Sequence, residues 1–282
     1  MNSVKTMILV LHLCCVSFDV VLTLFAIPYP MFPAMAGYGL GIVDSPGILL
    51  YLMVTIITAT TTSVFVIFEN RFFVLFGEHT WWRHVRKHVI WLSYMMVPIY
   101  FIPAQFYIPE QVEAREVVWE SLSCQPELPA HRELFVLSTD FYIPAYSILI
   151  AYCVPGFELW SFTLLNTYLL FFAKPKSNIS RKTRNLQKKL ALAVMIQDNA
   201  LVTFFAFPVD AVAIVIYTSY QSQLLNNLVF FGLSIHGTIS TFLLILIHTP
   251  YRDFVWGPFA RLWPKRAETI VVAVTVAPRN AL

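Results

Sequence analysis

Charged side chains are scarce in this chain: 12% of its 282 residues are Asp, Glu, Lys or Arg, where a soluble domain carries about a quarter. Hydrophobic residues make up 58%, with 24 Phe and 13 Tyr among them. There is too little polar cover to hide that surface in one soluble core. Cysteine is sparse too. Cys14, Cys15, Cys124 and Cys153 have no metal-ligand spacing, and only Cys124 sits in a polar stretch, without an obvious disulfide partner. No metal and no cofactor is expected, and nothing points to an enzyme. Nor is a nucleic-acid surface expected, because the basic residues are tethered to apolar runs.

Acidic residues are missing altogether from residues 174–189, KPKSNISRKTRNLQKK, which hold seven basic ones. Apolar runs of membrane-spanning length flank this stretch, and a basic loop between two spans marks the cytoplasmic face. Six runs are long enough to cross a bilayer: about 7–28, 47–68, 88–109, 143–173, 190–217 and 224–247. Pro98 and Pro103 are expected to kink the third. Pro155 and Glu158 interrupt the fourth, and Asp198, Pro208 and Asp210 the fifth. Residues 27–41 read as a Pro/Gly-rich turn, and residues 110–140 as an acidic loop. The first run is too long for a signal-peptide core of about 7–15 residues.

Alternation of six spans places 17 of the 19 Lys and Arg on one side, leaving only Arg115 and Arg132 on the other. Both termini are therefore expected in the cytoplasm, and the sequon at Asn178 is expected to stay unglycosylated. The fold class that follows is all-α: a polytopic membrane helical bundle over residues 1–255, with a cytoplasmic tail at 256–282. A transporter or channel and a receptor both fit such a bundle. Transporters show internal repeats with matching broken helices, and no convincing repeat relates the first three spans to the last three. No run of charges along one helix lines an ion path.

Four stretches decide between these classes. They are SVKTMILVLH with FDVVLTLFAIPY and AGYGLG (3–41), VIFENRFF (66–73), KTRNLQKKLALAVMIQ (182–197) and HGTISTFLLILIHTPYR (236–252). In order along the chain, they resemble the nematode serpentine chemoreceptors of class H, a seven-helix, G-protein-coupled type. The resemblance covers about residues 3–255. In the family, the stretch matching residues 3–41 belongs to the second helix, so the first helix is expected to be missing and the bundle reduced to six spans.

The resemblance implies a receptor that detects a small, volatile-type cue by helix rearrangement and signals through a heterotrimeric G protein. It implies the plasma or ciliary membrane of sensory neurons as location. The alternatives are a transporter-like protein for a small solute and a non-signalling remnant. At the inner end of the second span, Glu69 and Arg71 match a charged cluster that would act as a switch, or else anchor the helix at the headgroups. Lys182, Arg184, Lys188 and Lys189, with Tyr251 and Arg252 after the last span, would face the G protein or anionic lipid. Asp19, Glu158 and His236 fall near mid-membrane, where ionisable groups face the bundle interior. With Tyr100, Phe101 and Tyr146 they would line a ligand pocket, or else hydrogen-bond between helices.

Overall fold

The computed structural model describes residues 2–122, 128–129, 131–140, 142–172, 203, 206–247 and 249–260. The chain divides into two units, Met1–Thr241 and Phe242–Leu282, and the sheet, the cavity and the polar clusters below all belong to the first. Helix α1 (Asn2–Val20) runs on through a π-helical turn, Val21–Ala26. It stops at Ile27, whose positive φ of 39° turns the chain while its N–H donates to Leu22 O at 3.0 Å. Along α1 and its π turn, Leu11, Cys15, Phe18 and Leu22 are buried, whereas Leu9, Leu13, Val16 and Val20 are exposed. Both sets recur at helical spacing. An outward face dominated by aliphatic residues suits lipid, not water.

The central helix is α2 (Pro46–Phe72), which begins with proline where no amide hydrogen bond is lost and ends in a second π turn, Phe73–Gly77. Its hydroxyl-rich middle is buried. Thr58, Thr60, Thr61 and Ser63 donate to the carbonyls of Val54, Ile56, Ile57 and Ala59 at 2.8–3.1 Å. These four hydroxyls are thereby satisfied within their own helix, whereas that of Thr62 is buried without a hydrogen-bond partner among the described residues, and small side chains let α1 and α6 pack close. The main core joins these helices through Phe18, Val64, Phe65, Phe68, Leu159 and Leu233.

The third run is broken. Helix α3 (Trp82–Met96) starts six residues before the expected His88 and ends ahead of Pro98; α4 (Ile102–Phe106) restarts with Pro103 in its first turn. Proline cannot donate in a helix interior, and two of them within six residues produce an interruption rather than a kink. Tyr51 of α2 donates its hydroxyl to the freed Pro98 carbonyl at 2.8 Å. Helix α6 (Tyr142–Phe171) continues through Pro155. Helix α7 (Ala206–Thr218) lies in the fifth run, most of whose earlier part falls outside the described residues. Helix α8 (Gln223–Ile247) forms the sixth, and α9 (Thr249–Ala260) follows. Three described helices, Thr6–Ala26, Pro46–Phe72 and Tyr142–Leu169, are long and apolar enough to cross a membrane.

The expected turn and the described parts of the acidic stretch form regular structure. Strands β1 (Pro28–Pro30), β2 (Ala36–Gly39) and β3 (Phe135–Val136) form an antiparallel sheet in that order, with Tyr29 opposite Tyr38 and Ala36 opposite Val136. Helix α5 (Gln111–Ser121) packs on it through Ala114 and Val118, against Met31, Tyr38, Leu134 and Val136. The AGYGLG stretch has its glycines for close approach. A Cβ on Gly37 would come within 2.7 Å of Tyr29 O, and one on Gly41 would collide with the Phe25 carbonyl. Two arginines tie the sheet and α5 to their surroundings, forming a cap. Arg132 donates to Gly41 O at 2.7 Å and pairs with Asp44 at 3.1 Å. Arg115 donates to Leu134 O at 2.6 Å and pairs with Glu133.

Gln111 completes the sheet edge with its side chain. Its Nε2 donates to Val136 O at 3.0 Å while Val136 N–H donates to its Oε1 at 2.9 Å, so the amide replaces a fourth strand. Gln111→Leu removes both bonds and leaves the Val136 amide and carbonyl unpaired. The expected loss is about 1–3 kcal/mol of local stability, read as faster hydrogen exchange at Val136 with exchange in α2 unchanged.

Candidate functional site

At the end of α2 away from the cap, the stretch VIFENRFF folds into a socket. Glu69 is fully buried (0% exposed), and a carboxylate so placed needs a charged or strongly donating partner. It has two: Trp82 donates its indole N–H to Oε1 at 2.6 Å, and Arg86 donates to Oε2 at 2.7 Å. The same Arg86 nitrogen lies 3.3 Å from Asn70 Oδ1, and its guanidinium sits 3.9 Å above the Phe73 ring. Glu69, Asn70 and Phe73 of α2 and its π turn therefore surround one arginine of α3. Trp82 and Arg86 reach in together because residues four apart share a helix face.

The socket also reaches α6. The Phe162 ring packs against Phe65, Phe72 and Trp82 at centroid distances of 5.2–5.6 Å. Asn166, one turn later, donates to Phe68 O at 3.0 Å. Three helices thus meet around a single ion pair. A relative shift of α2 and α3 must break it, and a buried pair that loses one partner leaves an unsatisfied charge.

A second polar cluster joins α1 and α8. Asp19 Oδ1 lies 3.4 Å from His236 Nδ1, and His236 is fully buried (0% exposed). A carbonyl only accepts, so the 2.6 Å approach of Leu233 O places the ring proton on Nδ1. Phe18 meets the imidazole edge-on at 5.2 Å. The adjacent Gly237 makes the approach possible, since a Cβ there would collide with the Asp19 carboxylate. A third contact joins α3 to α6, where Ser93 donates to Glu158 Oε1 at 2.9 Å. Ser93 lies on the same face of α3 as Arg86.

Of the six residues read as a pocket, Asp19 and His236 come together, Glu158 engages Ser93, and Tyr100 is partly buried in the break between α3 and α4. Phe101 is in the core beneath the cap with Met35, Ala104 and Leu137, and Tyr146 is exposed on α6. None of them lines the apolar cavity found among the described residues. That cavity, of about 110 Å³, lies between the β1–β2 hairpin, the first half of α2 and Phe230 of α8. Burial, with Tyr29 alongside, pushes the Tyr38 hydroxyl there further up, so it stays neutral.

The cation that holds Glu69 is Arg86, 17 residues further on; Arg71 is partly buried in the last turn of α2. Arg86 and Trp82 were hidden from the sequence by placing the helix start at His88. Begun at Trp82, the helix shows Trp82, Arg86, Val89 and Ser93 as one stripe. Arg252 lies on α9, 3.9 Å from Asp253; Tyr251 is on the same helix. Lys182, Arg184, Lys188, Lys189 and Asp198 lie outside the described residues. Among the described residues no cluster of His, Cys, Asp or Glu could hold a metal ion.

The family model for the serpentine type 7TM GPCR chemoreceptor Srh matches residues 1–261. Serpentine receptor class H-72 of Caenorhabditis elegans is 23% identical, over 97% of this chain and 80% of that receptor. No solved structure matches. The spans of the match contain both the VIFENRFF socket and the His236–Gly237 seat for Asp19, and the chain belongs to the Srh family of serpentine seven-transmembrane chemoreceptors.

Proposed function

We propose that this multi-pass membrane receptor detects a small-molecule cue and passes the signal to a heterotrimeric G protein by moving α2 against α3. The observation that carries this reading is the buried Glu69–Arg86 pair with Trp82, set where three helices converge. Such a contact gives a bundle two discrete states, one with the pair made and one with it broken. The end of α2 that carries Glu69 is read as cytoplasmic, because the Lys and Arg asymmetry of the chain favours that side. The tail after α8 is read as cytoplasmic on the same ground.

In this reading Glu69 is the fixed half of a switch, with Arg86 as its partner, and Arg71 lies beside them at the membrane surface. The basic residues Lys182, Arg184, Lys188 and Lys189 are placed on the same side, where they meet the G protein or anionic headgroups. Asp19, His236, Ser93 and Glu158 act between helices and hold the bundle in register.

The test is nucleotide exchange on a G protein reconstituted with the receptor in vesicles, across a panel of small molecules. Ligand-dependent exchange that is altered by Glu69→Gln supports the reading. Accumulation of solute inside receptor-bearing vesicles, with no effect on nucleotide exchange, would replace it with transport.

A further inference from the structure

The cavity beneath the hairpin differs in chemistry from the polar clusters deeper in the bundle. It holds no charged side chain; its wall is Tyr29 and Tyr38 from the sheet, Leu49 and Met53 from α2, Phe135 from β3, Phe230 from α8, and apolar neighbours that include Phe32. Tyr29 and Tyr38 stack at 4.8 Å as one aromatic surface. A cavity of this kind does not favour water, which needs two to four polar partners; an apolar cavity of about 150 Å³ stays dry and takes benzene or xenon. The space here, about 110 Å³, is comparable to a single aromatic ring. Charged molecules are excluded, because nothing in the wall would offset their loss of water.

The wall comes from the sheet, α2 and α8. Gln223 of α8 donates to Pro30 O at 3.2 Å and Asn226 to Phe32 O at 3.2 Å, so the hairpin is tied to α8. Leu49 and Met53 belong to the same helix that ends in the Glu69 socket. An occupant adds contacts to the hairpin, α2 and α8 together and favours the arrangement in which they close on it. That differential contact is what a ligand needs in order to shift an equilibrium.

Resting on the receptor reading above, we infer that the cavity between the β1–β2 hairpin, α2 and Phe230 is the site where the cue binds. Its ligand is a neutral, apolar molecule about the size of one aromatic ring. The probe is fluorobenzene, followed by fluorine NMR on the full chain in lipid nanodiscs, with 4-fluorobenzylammonium as the charged counterpart. The wild type is expected to bind fluorobenzene saturably, and the charged probe at least tenfold more weakly. Leu49→Trp and Met53→Trp fill the space and are each expected to weaken binding tenfold or more. Partition into the lipid is the same for all of them and does not saturate. Phe230→Ala enlarges the space and is expected to shift preference toward fluoronaphthalene, which keeps the inference testable where a filled variant fails to fold.

Absence of saturable binding to the wild type, equal binding by well-folded filled variants, or equal binding of the charged probe would each overturn the inference. Binding requires no G protein. Saturable binding without nucleotide exchange therefore supports the site and sinks the signalling reading. Exchange evoked by other molecules, with no fluorobenzene binding, does the reverse.

Discussion

Arg86→Leu is expected to be the most damaging single truncation at the Glu69 socket, at about 3–5 kcal/mol, the cost of stranding one member of a buried pair. Glu69 would remain fully buried, with Trp82 as the donor still in place. Removing both charges is a different matter. In Glu69→Gln with Arg86→Leu, no uncompensated charge is left, and the double variant is expected to be more stable than Arg86→Leu alone by about 1–3 kcal/mol. Thermal unfolding of the detergent-solubilised receptor measures both. Strict additivity of the two single changes would show that the residues do not act as a pair.

Gly237→Ala carries the second large effect. Its new Cβ would overlap the Asp19 carboxylate, and the helices on either side cannot yield without loosening Phe18 and His236, both buried. Forcing a methyl group into packed space costs about 1–3 kcal/mol. The specific signature is rescue. Asp19→Ala removes the carboxylate that the methyl strikes, so the double variant is expected to recover most of the loss seen in Gly237→Ala. A cycle of melting temperatures over the four proteins reads the coupling. If Asp19→Ala adds its own loss instead, α1 and α8 are not packed through this contact.

The two positions differ in how far the sequence revealed them. Asp19 and His236 are legible as ionisable residues in apolar runs, and the structure puts them 3.4 Å apart. That they meet depends on Gly237, whose contribution is an absence of side chain and shows no pattern of its own. Glu69 is legible in the same way, yet Arg86 is not. Four of the six residues 82–87 are basic or histidine, so a search for apolar length begins the helix at His88, although the backbone is already helical from Trp82. Hydropathy follows the lipid boundary and not the hydrogen-bonded backbone, and the two differ wherever a helix extends beyond the membrane.

The cap was hidden for another reason. The first two strands, PYP and AGYG, are built from proline, glycine and alanine around one tyrosine each and have little intrinsic β signal, and the third is only two residues long. They pair because distant groups bring them together: β3 joins β2 from about a hundred residues along the chain, the Gln111 amide supplies an edge, and Arg132 reaches Gly41 across 91 positions. The ligand cavity depends on that pairing, since one wall of it is the hairpin. Reading Tyr100, Phe101 and Tyr146 as pocket residues followed the location of aromatics in the spans. Their side chains are set by the break after Met96 and by the outward face of α6, neither of which has a sequence period.

A receptor held at rest by the Glu69–Arg86 pair makes one demand that neither packing nor topology makes. Weakening the pair while keeping the Trp82 hydrogen-bond acceptor must raise activity without ligand. The measurement is basal guanine-nucleotide exchange by a co-reconstituted G protein, comparing wild type with Glu69→Gln at equal amounts of folded receptor. A change in coupling of 1–3 kcal/mol corresponds to about 5–150-fold in the state equilibrium, so exchange is expected to rise at least fivefold. Basal exchange equal to or below the wild type, with the variant correctly folded, would contradict the switch.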